Sequence, residues 1–242
     1  MKKKTLIIIP AYKEADNIEK LINSIVKSCP QYDYVIVNDG SKDATRSICQ
    51  KNGYNFIDLP FNLGIGGAVQ TGYKYAEREG YEIAVQIDGD GQHDVLQLDK
   101  VIEPLLHGEA DIVIGSRFIE KEGFQSSSVR RLGIFFLSGL IYVCTGKKVL
   151  DVTSGYRAVN SKFIKIYAES YPGDYPEPEA IVSAIMHMGK IMEIPVVMKE
   201  RQAGTSSIRA WKSVYYMIKV TLAIIICRIG FGIRRGENDF DK

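Results

Sequence analysis

The chain has 242 residues, of which 45% are hydrophobic and 25% charged, and its 31 basic and 29 acidic residues leave a net charge of +2. This content can bury the core of one domain, with or without an appendage, which excludes a disordered chain, and the near balance of charge predicts no nucleic-acid partner. The four cysteines lie far apart without a CxxC pair or a nearby histidine. That spacing predicts neither a disulfide framework nor a zinc site and is typical of a reducing cytosol.

The first half of the chain alternates β-rich runs with helix-like segments. A basic start precedes an apolar stretch that spans only Leu6 to Ile9 before Pro10, too short for a signal-peptide core, so TLIIIP is predicted to be the first strand. Helix-like segments at Asn17–Ser28 and Ala44–Asn52 separate it from the runs YDYVIVND and YNFIDLP. This order predicts an α/β fold, a mostly parallel sheet with helices on both faces, whose ligands bind at the carboxyl ends of the strands.

Polar side chains follow the first strand. In IPAYKEADNI, Pro10 stops the strand, Tyr12 offers a ring and Glu14 a carboxylate. Asp16 or Asn17 can cap the helix that follows.

A second polar cluster follows strand two, in IVNDGSKDAT. Asp39 ends the strand, and both helix capping and ligand binding stay open for Ser41 and Asp43. For Asp39 and Tyr12 a ligand role is favoured, because a carboxylate accepts from a uracil NH or a ribose hydroxyl and a ring beside it stacks on a base. Together they predict a nucleoside pocket.

The glycine-rich stretch NLGIGGAVQTGY follows the third strand and opens a helix, as a dinucleotide-binding fingerprint would. The match fails at the third glycine, where Val69 stands. The stretch therefore predicts a glycine turn that lets the following helix approach the sheet closely.

The stretch VQIDGDGQHD sets three carboxylates directly after a predicted buried strand. An EF-hand loop would need a glycine at the place of His93 and a glutamate at the place of Asp99, so that interpretation fails. The alternative is a pair, Asp88 and Asp90, at a strand tip, where two close carboxylates repel unless a divalent cation joins them to an anion. A pyrophosphate is the natural anion.

Neighbours of this pair are suited to the same site. Gln92 can add a neutral oxygen ligand, and Gly89 and Gly91 allow the backbone to approach a sugar nucleotide. His93 is predicted to be a polar neighbour, because oxygen donors dominate the site.

Beyond about Phe124 the pattern becomes irregular and two apolar helices are predicted. Leu132–Gly146 is uncharged between basic pairs, and Val214–Ile229 follows Trp211. Both are candidates for core helices or for interfacial helices on a membrane, and neither reaches the roughly 20 uninterrupted apolar residues of a spanning helix. We therefore expect peripheral membrane binding.

Five signatures in this order, IPAYKEADNI, VNDGSKDAT, NLGIGGAVQTG, QIDGDGQHD and IVIGSRF, resemble the family 2 glycosyltransferases over almost the whole chain. DVTSGYRA and ERQAGTSSI resemble the branch that transfers a hexose from a nucleotide sugar to polyprenyl phosphate, the dolichol-phosphate-mannose synthase type. YPEPEA and KSVYYMIKVTLAI are most similar to bacterial enzymes that charge undecaprenyl phosphate with N-acetylglucosamine or glucose. The resemblance implies a GT-A type, Rossmann-like domain over 1–210, with a nucleotide-sugar half (1–120) and an acceptor half (121–210), followed by a basic, apolar C-terminal helix and tail (211–242) that associates with the membrane.

The resemblance also implies roles for single residues. The nucleoside would be held by Pro10, Tyr12, Glu14 and Asp39. The diphosphate and a Mg²⁺ or Mn²⁺ ion would be held by Asp88, Gly89, Asp90 and Gln92, with Arg201 on the diphosphate. Arg117 would face the acceptor phosphate, and Arg130 and Arg131 either join it or remain solvated or headgroup-facing charges. Asp88, Asp90 and Arg117 would thus be the catalytic set. Where the family often has a lysine beyond the counterpart of Arg201, this chain has Ser206 to Arg209.

The chemistry of a phosphate acceptor agrees with this resemblance. A phosphate monoester, with a second pKa of about 6, is already a dianionic nucleophile and needs cations more than a base. We expect a single in-line displacement with inversion, UDP as the leaving diphosphate, and work at the cytoplasmic face of the membrane, alone or with a small membrane protein or a second copy. For Asp151, orientation of Arg157 and contact with the sugar stay open.

Three alternatives stay open. A saccharide hydroxyl acceptor would need a carboxylate base, for which Asp151, Glu177 and Glu179 are candidates, with a salt bridge or a cap as their structural roles. GDP-mannose could replace the UDP-sugar. A noncatalytic nucleotide-sugar binding protein is a third possibility, against which the set of Asp88, Asp90 and Arg117 argues.

Overall fold

The computed structural model describes residues 4–125, 127–199 and 210–240, and in the last helix it describes the side chains of 215–230. The strands are β1 (Thr5–Ala11), β2 (Asp33–Asn38), β3 (Phe56–Asp58), β4 (Ile83–Gln86), β5 (Ile112–Ser116), β6 (Arg157–Asn160) and β7 (Ile191–Pro195). The helices are α1 (Ile18–Ser28), α2 (Thr45–Lys51), α3 (Gly64–Arg78), α4 (Leu98–Leu106), α5 (Ser128–Thr145), α6 (Ser161–Glu169), α7 (Pro176–Met186) and α8 (Ala210–Phe240), and a 3₁₀ turn precedes α4.

Seven strands form one sheet in the order β3-β2-β1-β4-β6-β5-β7. β1 pairs in parallel with β2 and β4, β2 with β3, and β5 with β7. β6 runs antiparallel to both of its neighbours, β4 and β5. The predicted α/β class and mostly parallel sheet are therefore confirmed, with β6 as the exception among the described strands.

Both faces of the sheet are covered. Leu6 and Ile8 of β1 pack into one hydrophobic cluster with α3 and α6, while Ile7 and Ile9 pack into the other with α1 and α4. Successive side chains of a strand point to opposite faces of the sheet, so the continuous apolar run of β1 is buried on both faces. Close approach of α3 is also seen, since a Cβ on Gly72 would lie 2.2 Å from Cγ2 of Ile8.

Helices α5, α7 and α8 pack against one another at one side of the sheet. By length and composition alone, α5 is the one helix in the described ranges that could cross a membrane, with a mean hydropathy of 1.3 over 18 residues. One of its faces packs inside the protein through Ile134, Leu137 and Ile141. The opposite face is exposed and apolar. Its members include Val129, Leu132, Phe136 and Val143.

Candidate active site

The carboxyl ends of β1, β2 and β4 meet at one edge of the sheet. The backbone N–H of Asp39 donates to the carbonyl of Ala11 (2.9 Å). A Cβ on Gly89 would lie 3.0 Å from the carbonyl oxygen of Pro10 and 3.4 Å from Cγ of Glu14. The three predicted polar clusters are therefore neighbours, and Gly89 allows the β4 end to lie against the β1 end.

Asp39 holds the turn that begins α3. Its side chain, in a residue only 3% exposed, accepts from the backbone N–H of Leu63 (2.6 Å) and from Nδ2 of Asn62 (2.9 Å). Burial raises the pKa of this carboxyl, while backbone hydrogen bonds from Leu63 and Gly64 act to lower it. Contact of Asp39 with a nucleoside stays a prediction. Tyr12, the predicted stacking ring, is exposed beside it on the same edge.

Glu14 is buried and takes part in the packing of this edge. Its Oε2 accepts from Nδ2 of Asn17 (2.7 Å), and its backbone N–H donates to Oγ1 of Thr45 (3.0 Å). The side chain of Asn17, a candidate cap of α1, thus bonds to Glu14 and makes no capping bond. The carboxylate is available here as a structural acceptor, and its nucleoside contact stays a prediction.

Ser41 and Asp43 connect the first two strand ends. Oγ of Ser41 accepts from the N–H of Lys13 (3.0 Å), and Asp43 accepts from the N–H of Ala15 (3.3 Å) and of Thr45 (3.1 Å). The last bond lies at the start of α2. Ser41 therefore links the loop after β2 to the loop after β1, and Asp43 accepts from the first residue of α2. A ligand role for either residue stays a prediction.

Asp88 and Asp90 present carboxylates at the tip of β4. The side chain of Asp88 is 37% exposed, and Asp90 is half-buried, with its Oδ1 accepting from the N–H of Gln92 (3.0 Å). In the described part of the chain no group of three or more His, Cys, Asp or Glu side chains could hold a metal ion by itself. Mg²⁺ and similar ions commonly use one or two carboxylates together with the phosphates of a substrate. The donor set here fits a cation that is shared with a diphosphate.

His93 is a buried neighbour of Asp88. Its Nδ1 accepts from the backbone N–H of Asp88 (3.0 Å), so the neutral ring carries its proton on Nε2, which lies 3.8 Å from Oδ2 of the same residue. With Nδ1 occupied and oxygen donors at hand, His93 fits the predicted role of a polar neighbour.

Arg117 and Asp151 form a buried ion pair. Their side chains are 7% and 0% exposed, and the guanidinium makes two bonds to the carboxylate, from Nε (2.7 Å) and from Nη2 (2.6 Å). The N–H of Arg117 donates to the same carboxylate (3.0 Å). Contact between Arg117 and the acceptor phosphate stays a prediction. Of the alternatives left open for Asp151, the structure shows the salt bridge, and its partner is Arg117 rather than Arg157. Contact of Asp151 with the sugar stays a prediction.

Arg157 holds backbone carbonyls. Its guanidinium donates to the carbonyls of Ser154 (2.7 Å), Val152 (3.1 Å) and Glu177 (2.8 Å). Burial raises the pKa of the Glu177 carboxyl, the charge of Arg157 acts against that rise, Asp88 adds to it and Arg130 opposes it. Glu177 therefore lies within electrostatic reach of both Asp88 and Arg130.

The remaining predicted arginines differ in position. Arg130 is an exposed residue in the first turn of α5, and Nη2 of Arg131 donates to Oγ of Ser128 (3.3 Å) in the same turn. Arg201 and the segment Ser206 to Arg209 lie outside the described residues. The chain that leads to Arg201 passes the tip of β4, where the N–H of Lys199 donates to the carbonyl of Gln92 (2.9 Å).

Two contributors to the site were missed from the sequence. Glu193 of β7 accepts from the backbone N–H groups of Leu150 (2.7 Å) and Asp151 (2.8 Å), and Gly155 lies directly against the carboxylate of Asp88. A charged residue inside the apolar strand IMEIP was an available signal for Glu193. Gly155 lies inside the quoted motif DVTSGYRA, but its partner could not be read there.

Comparison with known proteins identifies a family and several relatives of this chain. The profile of the family described as Glycosyl transferase family 2 matches residues 6–166, which include both Asp88 and Arg117. The chain is 32% identical to an uncharacterized protein of Methanocaldococcus jannaschii, over 90% of this chain and 92% of that one.

Two further relatives have named activities. A UDP-N-acetylglucosamine–dolichyl-phosphate N-acetylglucosaminyltransferase of Methanococcus voltae is 32% identical over 78% of this chain and 83% of its own. A polyprenol monophosphomannose synthase of Mycolicibacterium smegmatis is 27% identical over 84% and 80%.

Solved structures share the fold. Glucosyl-3-phosphoglycerate synthase from Mycobacterium tuberculosis, in complex with Mn²⁺, UDP and its product, superposes with a TM-score of 0.70 at 21% identity and covers 95% of this chain and 81% of that one.

Proposed function

Because the chain belongs to glycosyl transferase family 2, in its polyprenyl-phosphate hexosyltransferase branch, we propose that it transfers N-acetylglucosamine or glucose from a UDP-sugar to undecaprenyl phosphate. The product would be a lipid-phosphate sugar donor for the modification of cell-wall or surface polysaccharide. The UDP-sugar is supported by the Methanococcus voltae relative, which is named for UDP-N-acetylglucosamine. The mannose-transferring relatives keep GDP-mannose as the alternative donor.

One observation carries the choice of a lipid acceptor: helix α5 combines a cation near the site with an exposed apolar face. Arg130, in its first turn, lies within electrostatic reach of Glu177, as does Asp88. Two and six residues further along the same helix, Leu132 and Phe136 lie on the exposed apolar face. A lipid phosphate would meet Arg130 while its chain remains on the apolar side.

The donor would lie across the ends of β1, β2 and β4. The exposed ring of Tyr12 would stack on the base, with Asp39 beside the ring. Gly89 has no side chain, so the diphosphate could pass close to the backbone there. Asp88 and Asp90 would hold Mg²⁺ or Mn²⁺. When bound, such an ion stabilises negative charge on the departing diphosphate. The solved Mn²⁺ and UDP complexes of a protein with this fold support that choice.

The acceptor phosphate needs positioning more than activation. As a dianion above its second pKa of about 6, it is already nucleophilic, and one arginine can hold two of its oxygens. Arg130 is the first candidate, and Arg117 is a second, with its side chain fixed in place by Asp151. The expected reaction is a single displacement at the anomeric carbon with inversion.

The exposed faces of α5 and α8 would place the protein on the cytoplasmic surface of the membrane. In the described part of α8 the exposed apolar side chains include Tyr215, Ile218, Leu222, Ile226 and Ile229. α5 and α8 pack on each other, so their stripes can contribute to one surface. Neighbouring basic residues would add attraction to anionic lipids. We infer peripheral binding, alone or completed by a small membrane protein or a second copy.

The test is transfer of label into lipid. Purified protein with undecaprenyl phosphate in vesicles is given labelled UDP-N-acetylglucosamine, UDP-glucose or GDP-mannose, with Mn²⁺ or Mg²⁺, and the solvent-extracted lipid is counted. Label from a UDP-sugar is expected, and Asp90→Ala should abolish it without a change in the circular dichroism spectrum. Asp16→Ala removes an exposed carboxylate at the start of α1 and is the matched control, expected to remain active. Retained activity of Asp90→Ala at saturating metal contradicts the proposal.

A saccharide hydroxyl acceptor is the second candidate, because burial raises the pKa of the Glu177 carboxyl and the charge of Asp88 adds to that rise, as suits a carboxylate base. A hydroxyl acceptor depends on a base that is typically worth about 10²- to 10⁴-fold in rate, whereas a phosphate dianion does not. In the same assay Glu177→Gln is therefore expected to keep lipid transfer within about tenfold of wild type. Label on an added oligosaccharide, lost in Glu177→Gln, would support the second candidate.

A further inference from the structure

The segment Asp151–Arg157, from the motif DVTSGYRA, touches every element that carries a predicted catalytic residue. Asp151 pairs with Arg117, and Oγ of Ser154 donates to the carbonyl of Gly115 (2.6 Å), at the end of β5. The next two residues contact the tip of β4. They give Asp88 a support that the sequence did not reveal.

Gly155 supports the carboxylate of Asp88 from behind. A Cβ at Gly155 would lie 2.9 Å from both carboxylate oxygens and 3.2 Å from Cγ of Asp88. Ordinary van der Waals contact begins at 3.4 Å, so an added methyl would displace the carboxylate by about 0.5 Å. That displacement is about the whole tolerance within which a binding constellation keeps its geometry.

Tyr156 supports Asp88 from the other end, through His93. Its buried ring stacks on the imidazole of His93 with centroids 4.9 Å apart and planes at 24°, and its hydroxyl donates to the carbonyl of Asp94 (3.1 Å). The imidazole accepts the backbone N–H of Asp88. The position of the Tyr156 ring therefore decides where His93 holds that N–H.

Arg157 fixes the segment that carries this pair. Its three bonds to carbonyls join Val152 and Ser154 to Glu177 at the start of α7. A buried guanidinium with three acceptors resists movement, since each bond that breaks leaves charge unsolvated. Gly155 and Tyr156 thus stand on a rigid base.

We propose that Gly155 and Tyr156 are positioning residues that set the orientation of Asp88 toward the metal and diphosphate. This inference rests on the proposed function. Gly155 leaves the carboxylate room at one fixed place, and Tyr156 holds the backbone of the same residue through His93. Their effect should appear as affinity for the cation rather than as a general loss of fold. Partners of this kind typically change metal affinity by about 10- to 100-fold.

The experiment measures Mn²⁺ binding in the presence of UDP on the full chain, from the electron paramagnetic resonance signal of free Mn²⁺. Gly155→Ala and Tyr156→Leu are each expected to raise the Kd for Mn²⁺ by about tenfold or more. Tyr156→Phe keeps the stacked ring and should bind within about threefold of wild type. Gly139→Ala, whose Cβ would have no neighbour within 4 Å, is the matched control and should bind as wild type.

Wild-type Mn²⁺ affinity in a folded Gly155→Ala variant would overturn the inference. If that variant does not fold, the tyrosine pair decides alone, since equal Kd values for Tyr156→Leu and Tyr156→Phe would overturn it. Transfer by Gly155→Ala should return toward the wild-type kcat at high Mn²⁺, with a raised KM for the ion. Absence of UDP-dependent Mn²⁺ binding by wild type would instead overturn the proposed function, and the inference with it.

Discussion

Replacing Asp151 with asparagine is expected to destabilise the protein strongly. The side chains of Asp151 and Arg117 are 0% and 7% exposed, so water cannot solvate the positive charge of Arg117 once its partner carboxylate is gone. In the variant, the remaining oxygen can still accept from Nε and the backbone N–H of Arg117, which share Oδ2 in the native protein. The new amide NH₂ would then face Nη2, so that two donors oppose each other where Oδ1 accepts at 2.6 Å. Breaking a buried ion pair from one side typically costs about 3–5 kcal/mol.

The assay monitors unfolding by urea and by heat through the circular dichroism signal. A loss of 3–5 kcal/mol would lower the midpoint of thermal unfolding by about 6–20 °C in a chain of this size. Asp174→Asn is the matched control, because Asp174 pairs with Lys219 at the surface with 57% of its side chain exposed. Such exposed pairs typically contribute about 1 kcal/mol or less. A loss below about 1 kcal/mol in Asp151→Asn would refute the reasoning.

A double variant separates the contribution of the pair to stability from the catalytic role predicted for Arg117. Arg117→Met combined with Asp151→Asn removes the buried charge, so it should be about 2 kcal/mol or more above the single Asp151 variant in unfolding free energy. We expect it to fold and to lack transfer activity. If it folds and transfers sugar at the wild-type rate, the catalytic role predicted for Arg117 is wrong and the pair is purely structural.

Two further predictions concern the membrane face and pH. Exchange of both Leu132 and Phe136 for serine removes exposed apolar surface, so it should weaken sedimentation with anionic vesicles by about 2 kcal/mol, or roughly 30-fold in affinity, per residue. Leu96→Ser, at an exposed position before α4, is the control and should bind the vesicles as the wild type does. Equal binding of all variants would contradict the proposed membrane face. Burial raises the pKa of Glu179 above its usual 4.5, although the charge of Lys219 opposes the rise, so the ionised form opposes folding. The free energy of unfolding of the native protein should therefore fall relative to that of Glu179→Gln as the pH rises from about 4.5 through the raised pKa. Urea unfolding at several pH values measures this difference. Parallel pH profiles of the two proteins would show that burial of Glu179 does not affect stability.

The parallel part of the sheet could be predicted because its signal is local. Apolar runs such as TLIIIP, followed by polar residues and a helical period, specify a strand and its carboxyl end, and parallel neighbours bring those ends to one edge. Asp39, Asp88 and Tyr12 followed from that rule. β6 did not, because its four residues enter the sheet antiparallel between β4 and β5 from a polar segment without strand periodicity.

The partners of the site residues could not be predicted for a different reason. Asp39 bonds to the turn at Leu63, Asp151 to Arg117 and Gly155 to Asp88, and each contact joins segments that only the folded sheet brings together. A carboxylate at a strand end therefore predicts that a hydrogen-bond donor lies beside it. Tertiary packing decides whether that donor belongs to a ligand or to the protein's own backbone.

Under the proposed function, the charges of the site make the donor, the cation and the acceptor depend on one another. Asp88 and Asp90 alone repel a diphosphate, and Arg117 is already paired with a carboxylate. The charge of Arg157 meets backbone carbonyls and acts on Glu177, while Arg130 remains exposed at the start of α5. Under the proposed function, a divalent ion would make the β4 tip attractive to the donor, and Arg130 at the start of α5 would be an exposed cation for the lipid phosphate.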